Sequence, residues 1–133
     1  MIDKENEVYT RVREKVLEAF PEVDMDSSYQ IAPSEFPHVS LFQSDTFTPA
    51  EYLDTRLIPK YEASTFTAEV SSNKSGHKKT ECKEIMAVIC DAMSLMNYRR
   101  IICTSVPNIK DSSIYRLTAR FTALVDENGF YRR

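Results

Sequence analysis

Between Ile114 and Asp126 the side chains alternate over a dozen residues, and no other stretch of the sequence restricts the fold as tightly. Tyr115, Leu117, Ala119, Phe121, Ala123 and Val125 share one face, while Ile114, Arg116, Thr118, Arg120, Thr122 and Leu124 share the other. A slip of one residue would send the first set into water, so both strand and register are strongly specified. Such a face needs a cover, and the sequence supplies one. From His77 to Asn97 the residues Cys82, Ile85, Met86, Ile89, Met93 and Met96 recur at spacings of three and four, with Lys79, Lys83, Glu84 and Asp91 elsewhere, as an amphipathic helix requires. A second helix is expected from Asp3 to Phe20 through Val8, Val12, Val16, Ala19 and Phe20, capped by Asp3 and ended by Pro21. Val12, Val16, Ile85, Ile89 and Met93 are the expected helix contribution to the core.

Strands are predicted at Tyr29 to Ala32, Pro37 to Gln43, Tyr61 to Ser72 and Arg99 to Val106, and Glu22 to Ser28 reads as an acidic loop. Residues 44–60 show neither period and carry Phe47, Tyr52, Leu57 and Ile58 among prolines and charges, the composition of a long arm. The order is α-β-β-(arm)-β-α-β-β, an α+β fold with two helices on one face of a mostly antiparallel or mixed sheet. At 133 residues the whole chain, 1–133, is expected to form a single domain.

The chemistry that the sequence can support is limited. With Gly76 and Gly129 as the only glycines, no glycine-rich phosphate cradle can form. His38 and His77 stand at no metal-ligand spacing, and no GxSxG elbow presents a nucleophile. Neither catalytic, cofactor nor metal residues are assigned, and no enzymatic activity is expected. Cys82, Cys90 and Cys103 are odd in number and lack a CxxC pair, so reduced, buried thiols are expected. The most apolar segment, Ile85 to Met96, is broken by Asp91 and Ser94 and is too short for a bilayer span of about 20 residues. The opening Met-Ile-Asp-Lys-Glu-Asn-Glu has no secretory signal pattern, so the chain is expected to stay where it is made.

Charge is distributed unevenly. Residues 1–73 hold 6 basic and 14 acidic side chains, net −8, and residues 74–133 hold 11 basic and 6 acidic, net +5. Either the two halves intermix on one solvated surface, or an acidic face meets the basic face of an identical neighbour, which favours head-to-tail rings. In the second case Glu22 and Asp24 would approach Lys78, Lys79, Arg99 or Arg100 of the next subunit, and Phe47, Tyr52, Leu57 and Ile58 would supply apolar contact. Lys78 and Lys79 oppose the dipole of the helix they begin, so a compensating acidic group is expected nearby. The basic clusters admit three readings: a solvated face, a subunit contact, or nucleic-acid binding.

Several segments together resemble a known family. They are Ser71-Ser72-Asn73-Lys74-Ser75-Gly76-His77-Lys78-Lys79-Thr80-Glu81-Cys82-Lys83, Val106-Pro107-Asn108, Ile114-Tyr115-Arg116 with Arg120-Phe121, and Tyr131-Arg132-Arg133. Val8-Tyr9 through Ala19-Phe20-Pro21 and Phe36-Pro37-His38-Val39 fit as well, so the likeness spans nearly the whole chain. It is to the tail terminator, or tail completion, proteins of long-tailed bacteriophages and prophages. The resemblance implies a structural subunit with a helix-over-sheet fold, forming a ring, usually a hexamer, on the head-proximal end of the tail tube. Its partners would be further copies of itself, the tail tube protein and head-tail connector proteins, with DNA only as passing cargo and no membrane. It would act in the bacterial host cytoplasm during assembly and then in the virion tail. Arg116 and Arg120 would then face the ring surface or lumen. A head-tail connector or head-closure subunit is the structural alternative. A nucleic-acid-binding module using Lys74, Lys78, Lys79 and Lys83, or a small enzyme with a site on the arm, are alternatives of other classes.

Overall fold

A computed structural model describes residues 4–28, 35–47, 62–106 and 113–125 of the chain. The protein is an α+β fold of two helices and a five-stranded mixed sheet. In chain order the elements are α1 (Glu5–Ala19), β1 (Asp24–Asp26), β2 (His38–Phe47), β3 (Glu62–Ser72), α2 (Lys78–Leu95), β4 (Arg99–Val106) and β5 (Tyr115–Val125). Across the sheet the order is β1-β2-β3-β5-β4, with β1 parallel to β2 and all other neighbours antiparallel.

The alternation read in β5 settles one layer of the core. Phe121 lies opposite Phe66, Ala119 opposite Ala68 and Leu117 opposite Val70 on β3, and Val39 and Leu41 extend the same face onto β2. Val8, Val12 and Val16 of α1 and Cys82, Ile85, Ile89 and Met93 of α2 close over it, all fully buried. Each such side chain removed from water contributes about 1.5–3 kcal/mol before the entropy of ordering it is counted. α2 ends through backbone geometry alone. Asn97 adopts φ +66°, its N–H donates to the Ser94 carbonyl, and the Tyr98 N–H reaches back to the Met93 carbonyl, both at 3.0 Å. This closure satisfies the last carbonyls and turns the chain straight into β4.

Three expectations change. Lys4, not Asp3, occupies the N-cap of α1 and gives no side-chain cap; Asp3 lies outside the described residues, and Glu5 and Glu7 supply the negative charge at the helix start. The acidic segment expected as a loop contains β1, because pairing with β2 provides backbone partners that local propensity does not. β2 runs on to Phe47, past the predicted end, since a bulge between Gln43 and Asp45 shifts the alternation by one and hides the continuing strand from pattern reading. The bulge is held on both sides: the Gln43 N–H donates to the Glu5 carboxylate at 2.7 Å, and the Ser44 hydroxyl donates to the Thr65 carbonyl at 3.3 Å. The strand expected at Tyr29 to Ala32 lies outside the described residues, and so do Tyr52, Leu57 and Ile58 of the expected arm.

Candidate functional site

Helices cover one face of the sheet, and the other face carries a lattice of polar side chains fixed by strand register. His38, Ser71 and Arg116 form one row across β2, β3 and β5, and Ser40, Glu69 and Thr118 form the next. Arg116 donates to the Glu69 carboxylate at 2.8 Å with both side chains largely buried, and the Thr118 hydroxyl donates to its other oxygen at 3.3 Å. The two arginines expected on a ring or lumen face share the sheet face away from the helices and differ in exposure. Arg116 is engaged by Glu69 within the chain, while Arg120, two rows along the same face, stays exposed.

At the β1 end of this face Asp24, His38 and Ser40 form a chain: Asp24 Oδ2 lies 3.0 Å from His38 Nδ1, and His38 Nε2 lies 3.2 Å from Ser40 Oγ. The connectivity is that of a Ser/His/Asp relay. Its setting is not that of a nucleophile. Ser40 is 2% exposed and His38 3%, and Ser40 sits mid-strand between β1 and β3, where its backbone belongs to the ladder rather than to an approaching oxyanion. The relay instead ties the short strand β1 to the sheet. Sequence patterning could have paired His38 with Ser40, two apart on one strand face, but Asp24 joins them only through tertiary pairing.

Two of the three thiols, Cys82 and Cys90, are biased toward the protonated form. Burial pushes the Cys82 thiol up to about 12, with the neighbouring Glu81 adding to the effect. Burial also raises Cys90, against the opposing pull of Arg100. Among the described residues no group of three or more His, Cys, Asp or Glu side chains is placed to hold a metal ion. No helix of the described residues is long and apolar enough to cross a membrane.

The sequence-predicted contact residues fall on two opposite sides of the sheet. Glu22 precedes β1 and is exposed, and Asp24 lies on β1 itself. Arg99 and Arg100 open β4 at the other edge and are exposed. β1 and β2 together contain Asp24, Asp26 and Asp45 with no Lys or Arg, whereas β4 and β5 contain Arg99, Arg100, Arg116 and Arg120 with no Asp or Glu. The charge split along the sequence thus becomes a gradient across the sheet. Lys78 and Lys79 begin α2; Lys79 lies 6.0 Å from the Tyr115 ring centroid, a cation–π approach, and Glu81 in the same turn offsets the unfavourable dipole. The Ser72 hydroxyl holds Glu81 at 2.6 Å. Phe47 pairs in register with Ala63 at the far end of β2.

Edge strand β4 also carries apolar surface. Ile101 is 57% exposed, Ile102 50% and Val106 39%, and these are three of the four exposed large hydrophobic residues described, the fourth being Leu95 at the end of α2. An open groove of about 570 Å³ runs beside β4 under α2, lined by Met86, Cys90, Arg100, Cys103 and Leu117 among others. A smaller groove of about 370 Å³ lies between the helices at Lys15, Ala19, Val88 and Leu95. The sequence matches no protein-family model and no curated protein sequence.

Proposed function

We propose that the protein is a structural subunit of the tail-terminator type, assembling head to tail into a ring on the head-proximal end of a phage or prophage tail tube. In that role it ends tube growth and offers the surface to which the filled head docks. The observation that supports this best is the segregation of charge between the two edges of one sheet. Like edges repel and unlike edges attract, so copies join through two different surfaces; a rotation that closes such a chain of contacts gives a ring. The segments quoted from the sequence supply the phage assignment, with assembly in the bacterial cytoplasm and final residence in the virion tail.

The test is assembly on tubes. Purified protein added to polymerising tail tube protein should give tubes of limited length carrying a ring at one end in electron micrographs. Tubes that grow without limit and bear no ring overturn the reading. Salt-dependent binding to DNA in place of ring formation would support the nucleic-acid module instead.

A further inference from the structure

We infer that the free protein pairs two-fold through β4: the edge strands of two copies lie antiparallel about an axis at Thr104, joining two sheets into one. Such a joint closes after two copies, so it is separate from the head-to-tail contacts of a ring and goes beyond the ring reading. Among the described residues only the β4 edge of the sheet is open. On β1, Asp24 and Asp26 turn their backbone groups to β2, and Met25 gives its carbonyl to the Tyr9 hydroxyl at 3.1 Å. Register shows which groups of β4 face outward. The Asp24 N–H donates to the Pro37 carbonyl at 2.9 Å, so Val39 points its backbone groups at β1 and Ser40 points its own at β3. Hydrogen-bonded and non-hydrogen-bonded pairs then alternate along the row Ser40, Glu69, Thr118, Thr104, which bonds Thr104 to β5 and leaves the N–H and C=O of Cys103 and Ser105 outward. The Ser105 carbonyl accepts the exposed Thr104 hydroxyl at 3.4 Å, which leaves its second lone pair for a strand.

Self-complementarity selects a second copy as the occupant. With the axis at Thr104, Cys103 of each copy exchanges backbone hydrogen bonds with Ser105 of the other. The same register sets Thr104 against Thr104 and Ile102 against Val106 as non-hydrogen-bonded pairs, whose side chains stand closest. Ile102 and Val106 are 50% and 39% exposed and share the side of the sheet away from the helices, so each covers the other across the joint. From Ile102 to Val106 the strand has no charge, proline or bulge to discourage pairing. Parallel alignment of two β4 edges would bring their arginines together and repel. Antiparallel alignment sets Arg100 and its copy at opposite ends, about 25 Å apart at a strand rise of about 3.3 Å per residue, well beyond a screening length of about 8 Å. α2 sits over β3 and β5, and the open groove between it and β4 leaves the helix side of the added strand clear.

The test uses the full chain free in solution. Sedimentation velocity and native mass spectrometry should show a concentration-dependent dimer, and the amides of Cys103 and Ser105 should exchange about tenfold more slowly in it than in dilute monomer, with Thr104 protected in both. Ser105→Pro removes an outward N–H without touching the β5 ladder, so the monomer should keep its β5 protection while the dimer's dissociation constant rises about tenfold or more. Thr104→Cys should give a disulfide-linked dimer with oxidised glutathione as oxidant, because the Cα atoms of such a pair lie about 4.5 Å apart; wild-type Cys103, offset from its copy along the strands, should not link. A chain that stays monomeric up to about 1 mM overturns the joint. So do dimers indifferent to Ser105→Pro, or a Thr104→Cys variant that fails to link. Protection of Cys103 and Ser105 that arises only on adding tail tube protein identifies a foreign strand and overturns the two-fold joint as well. Rings on tubes from a chain that never dimerises keep the ring reading and overturn this joint, whereas a dimer without tube capping keeps the joint and overturns the tail function.

Discussion

Replacing Tyr98 by Phe should destabilise the protein at neutral pH and lose that effect in alkali. Tyr98 follows the αL turn at Asn97, is 1% exposed, meets Phe66 edge to face at 5.5 Å and donates its hydroxyl to Ser64 at 3.0 Å. Tyr98→Phe retains the ring and removes one buried hydrogen bond, a loss of about 1 kcal/mol. Burial holds the phenol up at about 12, against an ordinary 10, and the hydrogen bond to Ser64 only partly opposes that rise. Between these values the unfolded chain has released the proton and the folded chain keeps it, so rising pH favours unfolding; below 10 the contribution is fully present. For a separation of that size the wild type should lose about 1.4 kcal/mol by pH 11 through this residue, and the Phe variant none of it. The raised Cys82 thiol destabilises both proteins equally in alkali and cancels in the comparison. Urea denaturation at pH 7 and pH 11 gives the two differences directly. A penalty for Tyr98→Phe that stays unchanged between the two pH values refutes the placement of the phenol in the core.

Phe121→Ala empties the centre of the sheet's helix-facing side, between Phe66 and the helices, and should cost about 3–5 kcal/mol in chemical denaturation; a loss below about 1 kcal/mol would contradict the core described. Glu69→Ala leaves Arg116 buried without its carboxylate and should cost about 3–5 kcal/mol, whereas Glu69→Leu combined with Arg116→Met should come within about 1–2 kcal/mol of the wild type, compared by thermal and urea unfolding. Asn97→Ala places a β-carbon in the left-handed region and should lower stability by about 1 kcal/mol in the same assay, with Asn97→Gly tolerated.

What the sequence disclosed follows from where regular periodicity survives. β5 alternates through eleven residues and α2 keeps its three-four spacing from Cys82 to Met93, so both the elements and their buried faces are legible. β1 is not: Asp-Met-Asp has no strand propensity of its own and exists because Asp24 to Asp26 align with His38 to Ser40. β2 is legible only as far as the bulge, where one extra residue inverts which positions face the core. The same tertiary origin conceals the Asp24–His38–Ser40 relay and the engagement of Arg116 by Glu69, whose partners lie on different strands. The charge asymmetry is plain in the sequence, but only the order β1-β2-β3-β5-β4 converts it into two unlike edges.

The strand order also bears on biosynthesis. β5 is the last described element to be translated, yet it occupies the interior of the sheet between β3 and β4, pairing Glu62 with Val125 at one end and Ser72 with Tyr115 at the other. A nascent chain that has emerged only as far as β4 holds both helices and four of the five strands, but β3 has no neighbour on that side and Phe66, Ala68 and Val70 lack their cross-strand partners Phe121, Ala119 and Leu117. Such long-range pairing is slow and leaves sticky intermediates in the meantime. Closure of the sheet therefore waits on β5, and β4 acquires its sheet position and its outward edge only when β5 arrives. The outward side of β4 therefore exists as the edge of a sheet only after the chain's own folding is complete.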